Sequence, residues 1–241
     1  MRPVTSLLRE RRDGGVEILR INRPDKRNAL DTATLGLLNG ALRGLAEDPE
    51  LRVVVVSTTS ATALCAGADV GEQLDHAGGV ARMEAFAELY ALLEVLPVPT
   101  IAVCVGNCVG AGAEIVAGCD LRVGGENLKL AWAGARLGVP VGPARLTQLV
   151  GLARAKDLVY TGRSIGADEA ASYGLLHRVA PAEQAEAAAL DLAADLTRQS
   201  ADGLRVLKQM FRELEDTAQR VGYENERLVD FQRTGTGLPQ G

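Results

Sequence analysis

The stretch that most constrains how this chain can fold runs from Ile101 to Val123, IAVCVGNCVGAGAEIVAGCDLRV. Ile101 to Val105 is a short apolar run of the kind that buried parallel strands have. Gly106 and Asn107 break it, Gly110-Ala111-Gly112-Ala113 opens a helix that reaches Cys119, and a second strand follows. The helix start is built from residues with almost no side chain. Another segment or a ligand can therefore approach the backbone where the first N–H groups lack internal partners and carry the positive end of the helix dipole. An oxyanion is favoured there. Glu114 lies three residues after Ala111, so its carboxylate sits on the same helix face, about one turn from those N–H groups. The pattern places an acid or base beside electrostatic donors. On spacing alone it fits equally well a tightly packed helix whose first-turn acid is favoured by the dipole.

The rest of the chain alternates strands and helices. Thr5 to Arg9 and Val16 to Ile21 bracket the turn Arg12-Asp13-Gly14-Gly15 and predict a hairpin. A polar turn, Asn22 to Arg27, leads to Asp31, a cap for a helix whose Leu35, Leu38, Leu42 and Leu45 recur at helical spacing. Leu51 to Val56 is a dense β-branched run and so a buried strand, followed by the polar loop Ser57 to Thr62. A second small-residue cluster, Ala63 to Asp69, again offers unshielded backbone N–H groups, with Asp69 as a candidate cap for the next helix. Gly78-Gly79 reads as a mobile break before a helix over Val80 to Leu96, which Pro97 and Pro99 end. This alternation predicts an α/β core with right-handed crossovers. From about Pro143 helical patterns dominate, with one strand-like piece at Leu176 to Val179. Pro181 opens an Ala-rich helix, and Ser200 to Glu215 and Thr217 to Phe231 give two more before a polar tail, Thr234 to Gly241, expected to be loose.

With 241 residues and 47% hydrophobic content, the chain can build one sizeable core. A net charge of −5 argues against general nucleic-acid binding. No apolar run approaches the roughly 20 residues of a membrane span, and the N-terminal segment lacks a secretory signal pattern, so a cytoplasmic protein is expected. Cys65, Cys104, Cys108 and Cys119 fall in apolar segments without metal-ligand spacing and read as reduced core thiols. His76 and His177 read as structural or exposed, and no metal site is expected.

Four motifs now carry a resemblance: NRPDKRNAL at Asn22 to Leu30, LCAGADV at Leu64 to Val70, VGNCVGAGAEIVAGCDLRV at Val105 to Val123, and ADEAASYGLLHRVAP at Ala167 to Pro181. In order and spacing the chain resembles the enoyl-CoA hydratase/isomerase (crotonase) family over roughly residues 4 to 215. The resemblance implies a crotonase-like ββα spiral core over residues 1–180 and a C-terminal helical oligomerisation region over residues 181–241. It also implies a homotrimer or dimer of trimers, and an acyl-CoA thioester ligand with coenzyme A as part of the substrate and no separate cofactor. By the same resemblance the backbone N–H groups of Ala68 and Ala111 form an oxyanion hole, with Gly110 beside it. Ala66 and Gly67 belong to the segment that meets adenine, and Lys26 and Arg27 to the turn that meets the coenzyme A phosphates; a solvated turn is the alternative for that pair.

Glu114 matches the first of two glutamates that hydratases of this family use on water. At the place of the second stands Gly134, and the following segment, Gly138 to Leu146, looks shorter than the family's glycine-rich loop. A glutamate restored at position 134 is expected to raise hydration if the backbone there accepts a side chain. Trp132 reads as packing, and Arg136 as either a surface charge or a ligand for an acidic acyl group. The chain ends soon after Asp230 to Thr234, where many relatives continue for a further helix. The expected function is enoyl-CoA hydratase-like chemistry in fatty acid metabolism with Glu114 as the only evident acid or base. Alternatives are an acyl-CoA binding protein with little or no catalysis, or a family isomerase, decarboxylase or hydrolase.

Overall fold

The structure is a computed structural model and describes residues 5–238. Its opening hairpin pairs β1 (Leu7–Arg12) with β2 (Val16–Ile21), the turn being made by Gly14 and Gly15 at φ +76° and +78°. Asp31 caps α1 (Thr32–Ala46) by accepting from Thr34 N at 2.8 Å. The four periodic leucines of α1 are all buried, each contributing about 1.5–3 kcal/mol on leaving water.

The chain then enters a repeating course. One strand joins a large sheet, the next a small one, and a helix covers both. The first pass is β3 (Val53–Thr58), β4 (Ala63–Cys65) and α2 (His76–Val95); the second is β5 (Thr100–Cys104), β6 (Asn107–Val109) and α3 (Ala111–Gly118). The third begins with β7 (Leu121–Gly125) and β8 (Lys129–Ala131), and β9 (Arg178–Ala180) completes the large sheet. The large sheet runs β1-β2-β3-β5-β7-β9, parallel except for the first pair, and the small sheet runs β4-β6-β8, all parallel. This is the expected ββα spiral.

Between β8 and β9 lie α4 (Pro143–Val150), α5 (Leu152–Thr161) and α6 (Ala167–Ser172), with Gly151, Gly162 and Gly166 at their junctions. The main core fills one face of the large sheet beneath α1, α2 and α3. On the other face α7 (Ala185–Thr197) lays Ala185, Ala189 and Ala193 against Val53, Val55, Ile101 and Val103. The chain closes with α8 (Ala201–Leu214) and α9 (Thr217–Arg233).

Two expectations are corrected. Gly78 and Gly79 do not break a helix but lie inside α2, whose cap is Asp75, accepting from Gly78 N at 2.7 Å, and not Asp69. A Cβ at Gly79 would lie 2.8 Å from Gln232 Nε2, so this glycine lets α9 approach α2 closely. The tail is also less loose than its polarity suggests. Leu238 is buried, and its N–H donates to Gln232 Oε1 at 3.0 Å. Residues 239–241 of that tail lie outside the described residues.

Candidate active site

The two small-residue clusters meet because β4 and β6 are parallel neighbours, with Cys65 opposite Cys108. Gly67 has φ +111° and Gly110 φ +55°, and a Cβ on Gly110 would lie 3.9 Å from the Gly67 Cα, so the two turns nearly touch. Gly112 is needed more strictly, since a Cβ there would fall 2.1 Å from Cys65 O.

A parallel bridge joins Ala68 to Leu30, using Leu30 N to Gly67 O and Asp69 N to Leu30 O, both at 2.8 Å. Alternation along the strand turns the Ala68 N–H away from that bridge. Gly110 N donates to Ala131 O at 3.0 Å, and Ala111 is the first residue of α3, where N–H groups have no intrahelical partner. Ala68 and Ala111 both line one cavity of about 400 Å³. Ala66, Gly67, Gly110, Gly134, Lys26 and Arg27 line it too, so the structure brings eight of the nine sequence-picked positions together. Met83, Phe86, Tyr90, Val141, Leu228 and Leu238 make its apolar wall.

The ninth position, Glu114, is not on the lining. It is fully buried, with Oε1 accepting from Trp132 Nε1 at 2.9 Å and Oε2 from Arg145 Nη1 at 3.0 Å. Its surroundings still border the cavity. Tyr90 lines it, as do Ala133 and Gly134, which directly follow Trp132. Arg145 is itself buried and gathers further groups: Glu94 Oε1 at 3.0 Å from Nε, Glu224 Oε1 at 3.6 Å from Nη1, and Tyr90 O at 3.2 Å from Nη2. Burial, and after it the Glu224 carboxylate, push the Glu114 carboxyl up to about 8. Burial likewise raises Glu224 and Glu94.

Gly134 does not leave an empty space. A Cβ there would lie 2.5 Å from Val139 O and 3.0 Å from Val141 Cγ2, because the short loop folds back onto it, with Val139 N donating to Gly134 O at 2.9 Å. The expected gain from a glutamate at this position is therefore withdrawn. Trp132 is packed as expected. Arg136 is exposed, donates to Gly162 O at 2.8 Å and does not line the cavity.

Lys26 and Arg27 stand exposed at the cavity rim, and neither has a carboxylate partner among the described residues. Asn28, which sequence reasoning passed over, fixes their turn. It is buried at φ +56°, donates to Thr58 Oγ1 at 2.6 Å and Ala63 O at 2.9 Å, and accepts from Arg23 N at 2.7 Å. An asparagine closing a polar turn was the available signal, since Asn tolerates the left-handed region. Arg23 is structural as well, pairing with Asp31 at 2.8 Å and Asp69 at 2.9 Å. The four cysteines are free and buried, and burial pushes their thiols up. His177 accepts at Nδ1 from Arg122 N at 3.1 Å, and burial lowers its pKa; His76 is exposed at the start of α2.

The chain is similar to known proteins in both sequence and fold. The 2,3-dehydroadipyl-CoA hydratase of Escherichia coli is 34% identical over 217 residues, covering 89% of this chain and 85% of that one. The "Probable enoyl-CoA hydratase echA8" of Mycobacterium tuberculosis is 32% identical over 221 residues, covering 90% and 86%. The crystal structure of an enoyl-CoA hydratase from Bacillus anthracis superposes with a TM-score of 0.83 at 27% identity, over 98% of this chain and all of that one. The sequence profile described as enoyl-CoA hydratase/isomerase matches residues 11–234, which span both small-residue clusters, Glu114 and the C-terminal helices. On fold and sequence together, this chain belongs to the enoyl-CoA hydratase/isomerase family.

Proposed function

We propose that the protein is an acyl-CoA thioester enzyme of the hydratase type. The observation that carries this reading is the convergence of Ala68 and Ala111 on one largely apolar cavity, with a cationic turn, Lys26 and Arg27, at its rim. An enoyl thioester enters with its acyl chain against the apolar wall and its carbonyl oxygen toward the two N–H groups. Water adds at the β-carbon, the electron pair moves to the carbonyl oxygen, and the enolate collapses by taking a proton at the α-carbon. Each backbone donor aimed at that oxygen is worth about 3–4 kcal/mol in the transition state. The ionised form of Glu114, held by Trp132 and Arg145, takes the proton from water on a remaining lone pair and returns it to the α-carbon, ending ionised as it began. A carboxyl near pH 8 is well matched to this work, because acid–base efficiency is greatest close to the operating pH. Arg136, bonded to Gly162 O and off the lining, offers no cation to an acidic acyl group.

A second reading, an acyl-CoA binding protein without turnover, is favoured by the placement of Glu114 behind the lining and its two existing partners. Turnover of a panel of enoyl-CoA thioesters, alongside calorimetric binding of coenzyme A, separates the two. Binding with hydration supports the enzyme, binding without any turnover supports the second reading, and no binding removes both. Assembly as a homotrimer or dimer of trimers is part of the proposal. It is supported by Leu207, Met210, Phe211 and Leu214, exposed at helical spacing on one face of α8. A cytoplasmic location fits the four free thiols.

A further inference from the structure

Arg145 is surrounded by more negative charge than it can neutralise. Glu94 reaches its Nε, while Glu114 and Glu224 both approach the same nitrogen, Nη1. All of these side chains are buried or nearly so, and Glu114 is fully enclosed. Were all three carboxylates ionised, one guanidinium would face three negative charges out of water, an arrangement that proteins relieve by holding a proton.

The hydrogen bonds indicate where that proton resides. Glu94 is the most exposed of the three and feels a second cation, Lys208, beside it. Glu224 Oε2 accepts from Ala144 N at 2.8 Å at the start of α4, which favours its ionised form. Its Oε1 is buried and has no hydrogen-bond donor. Glu114, beside it on the same guanidinium nitrogen, is a carboxyl group that can supply one when protonated. An orphan acceptor and an enclosed acid are thus neighbours. The groups facing Glu114 are Tyr90 and Glu94 from α2, Trp132 after β8, Arg145 from α4 and Glu224 from α9.

We propose that Glu224, on α9, is a positioning residue for Glu114: the two carboxyl groups, both beside the Arg145 guanidinium, hold one proton between them. The catalytic consequence rests on the reading of Glu114 as the acid or base, but the proton sharing does not. In the resting state Glu114 keeps the proton and donates it to Glu224. When Glu114 gives up that proton, its charge is held by Arg145 and Trp132 and opposed by Glu224.

The test is an NMR titration of the full-length protein carrying carboxyl-¹³C glutamate, with the Glu114 signal identified as the one missing from Glu114→Gln. The expected result is a Glu114 signal that titrates above neutrality in the unmutated protein. In Glu224→Gln it should move down by at least one pH unit, a tenfold change in proton affinity. In Glu224→Asp it should stay near the unmutated position. A Glu114 signal in the ordinary carboxylate range overturns the proposal from the unmutated protein alone, whether or not any variant folds. So does an unchanged titration in Glu224→Gln. Because no substrate is involved, a protein that turns over no enoyl-CoA yet shows the Glu224-dependent titration retains this inference while losing the proposed function.

Discussion

At Gly134 two residues five and seven positions further along the loop decide what the site can hold. The Val139 carbonyl and the Val141 side chain occupy the room a Cβ would take, so Gly134→Glu is expected to be overpacked by about 1–3 kcal/mol. A urea titration should show the loss, with no gain in hydration; a variant as stable as the unmutated protein would contradict the geometry. Glu114 carries the other residue-scale prediction. Its carboxyl is raised from 4.5 to about 8 in the fold, so the native state binds more protons than the unfolded chain between those values. Stability contributed by this group is complete below about pH 4.5 and is lost as pH rises toward 8, with a slope of at most about 1.4 kcal/mol per pH unit for one proton. Glu114→Gln, which mimics the protonated group, should flatten that slope in denaturation curves at several pH values; an unaltered slope would show that Glu114 is already ionised across the range. Sequence spacing revealed the acid on α3 but not its partners, because Arg145 and Glu224 reach it from α4 and α9, elements that only tertiary packing brings near.

Elements position this site through small residues and pinned turns. The strand, turn, helix pattern over Ile101 to Val123 was readable because its periodicity and glycines are local properties. That Ala68 and Ala111 belong to one site followed only from the family resemblance, and the β4–β6 pairing that joins their segments was not read from the sequence. Gly78-Gly79 misled for a physical reason: a glycine that serves close helix packing looks in sequence like one that ends a helix, and its partner, Gln232, is far along the chain. The Lys26–Arg27 turn gives the prediction at this scale. Asn28 holds its backbone, so replacing the two cations by alanine should leave the fold intact and weaken coenzyme A binding, with a flatter salt dependence, since surface charges are screened over about 8 Å at physiological salt. Isothermal titration at two salt concentrations checks this. Equal affinity for both proteins would make the pair a solvated turn.

The whole molecule wraps its C-terminal region around the spiral: α7 closes one face of the large sheet, and α9 and Leu238 help wall the cavity. What remains outward is the apolar face of α8, where Phe211 and Leu214 are 68% and 79% exposed. Light scattering should give three or six times the 25.3 kDa chain mass, and Phe211→Glu with Leu214→Glu should lower it; a monomer before mutation would contradict the assembly. Turnover as proposed depends on Glu114 acting as the acid or base behind the Ala68 and Ala111 donors. The most direct measurement is crotonyl-CoA hydration by the unmutated protein and by Glu114→Gln, with ligand affinity measured in parallel. An acid–base role for Glu114 predicts unchanged affinity and a fall in kcat of about 10²–10⁴-fold. Equal rates in the two proteins would contradict it and make Glu114 a structural acid.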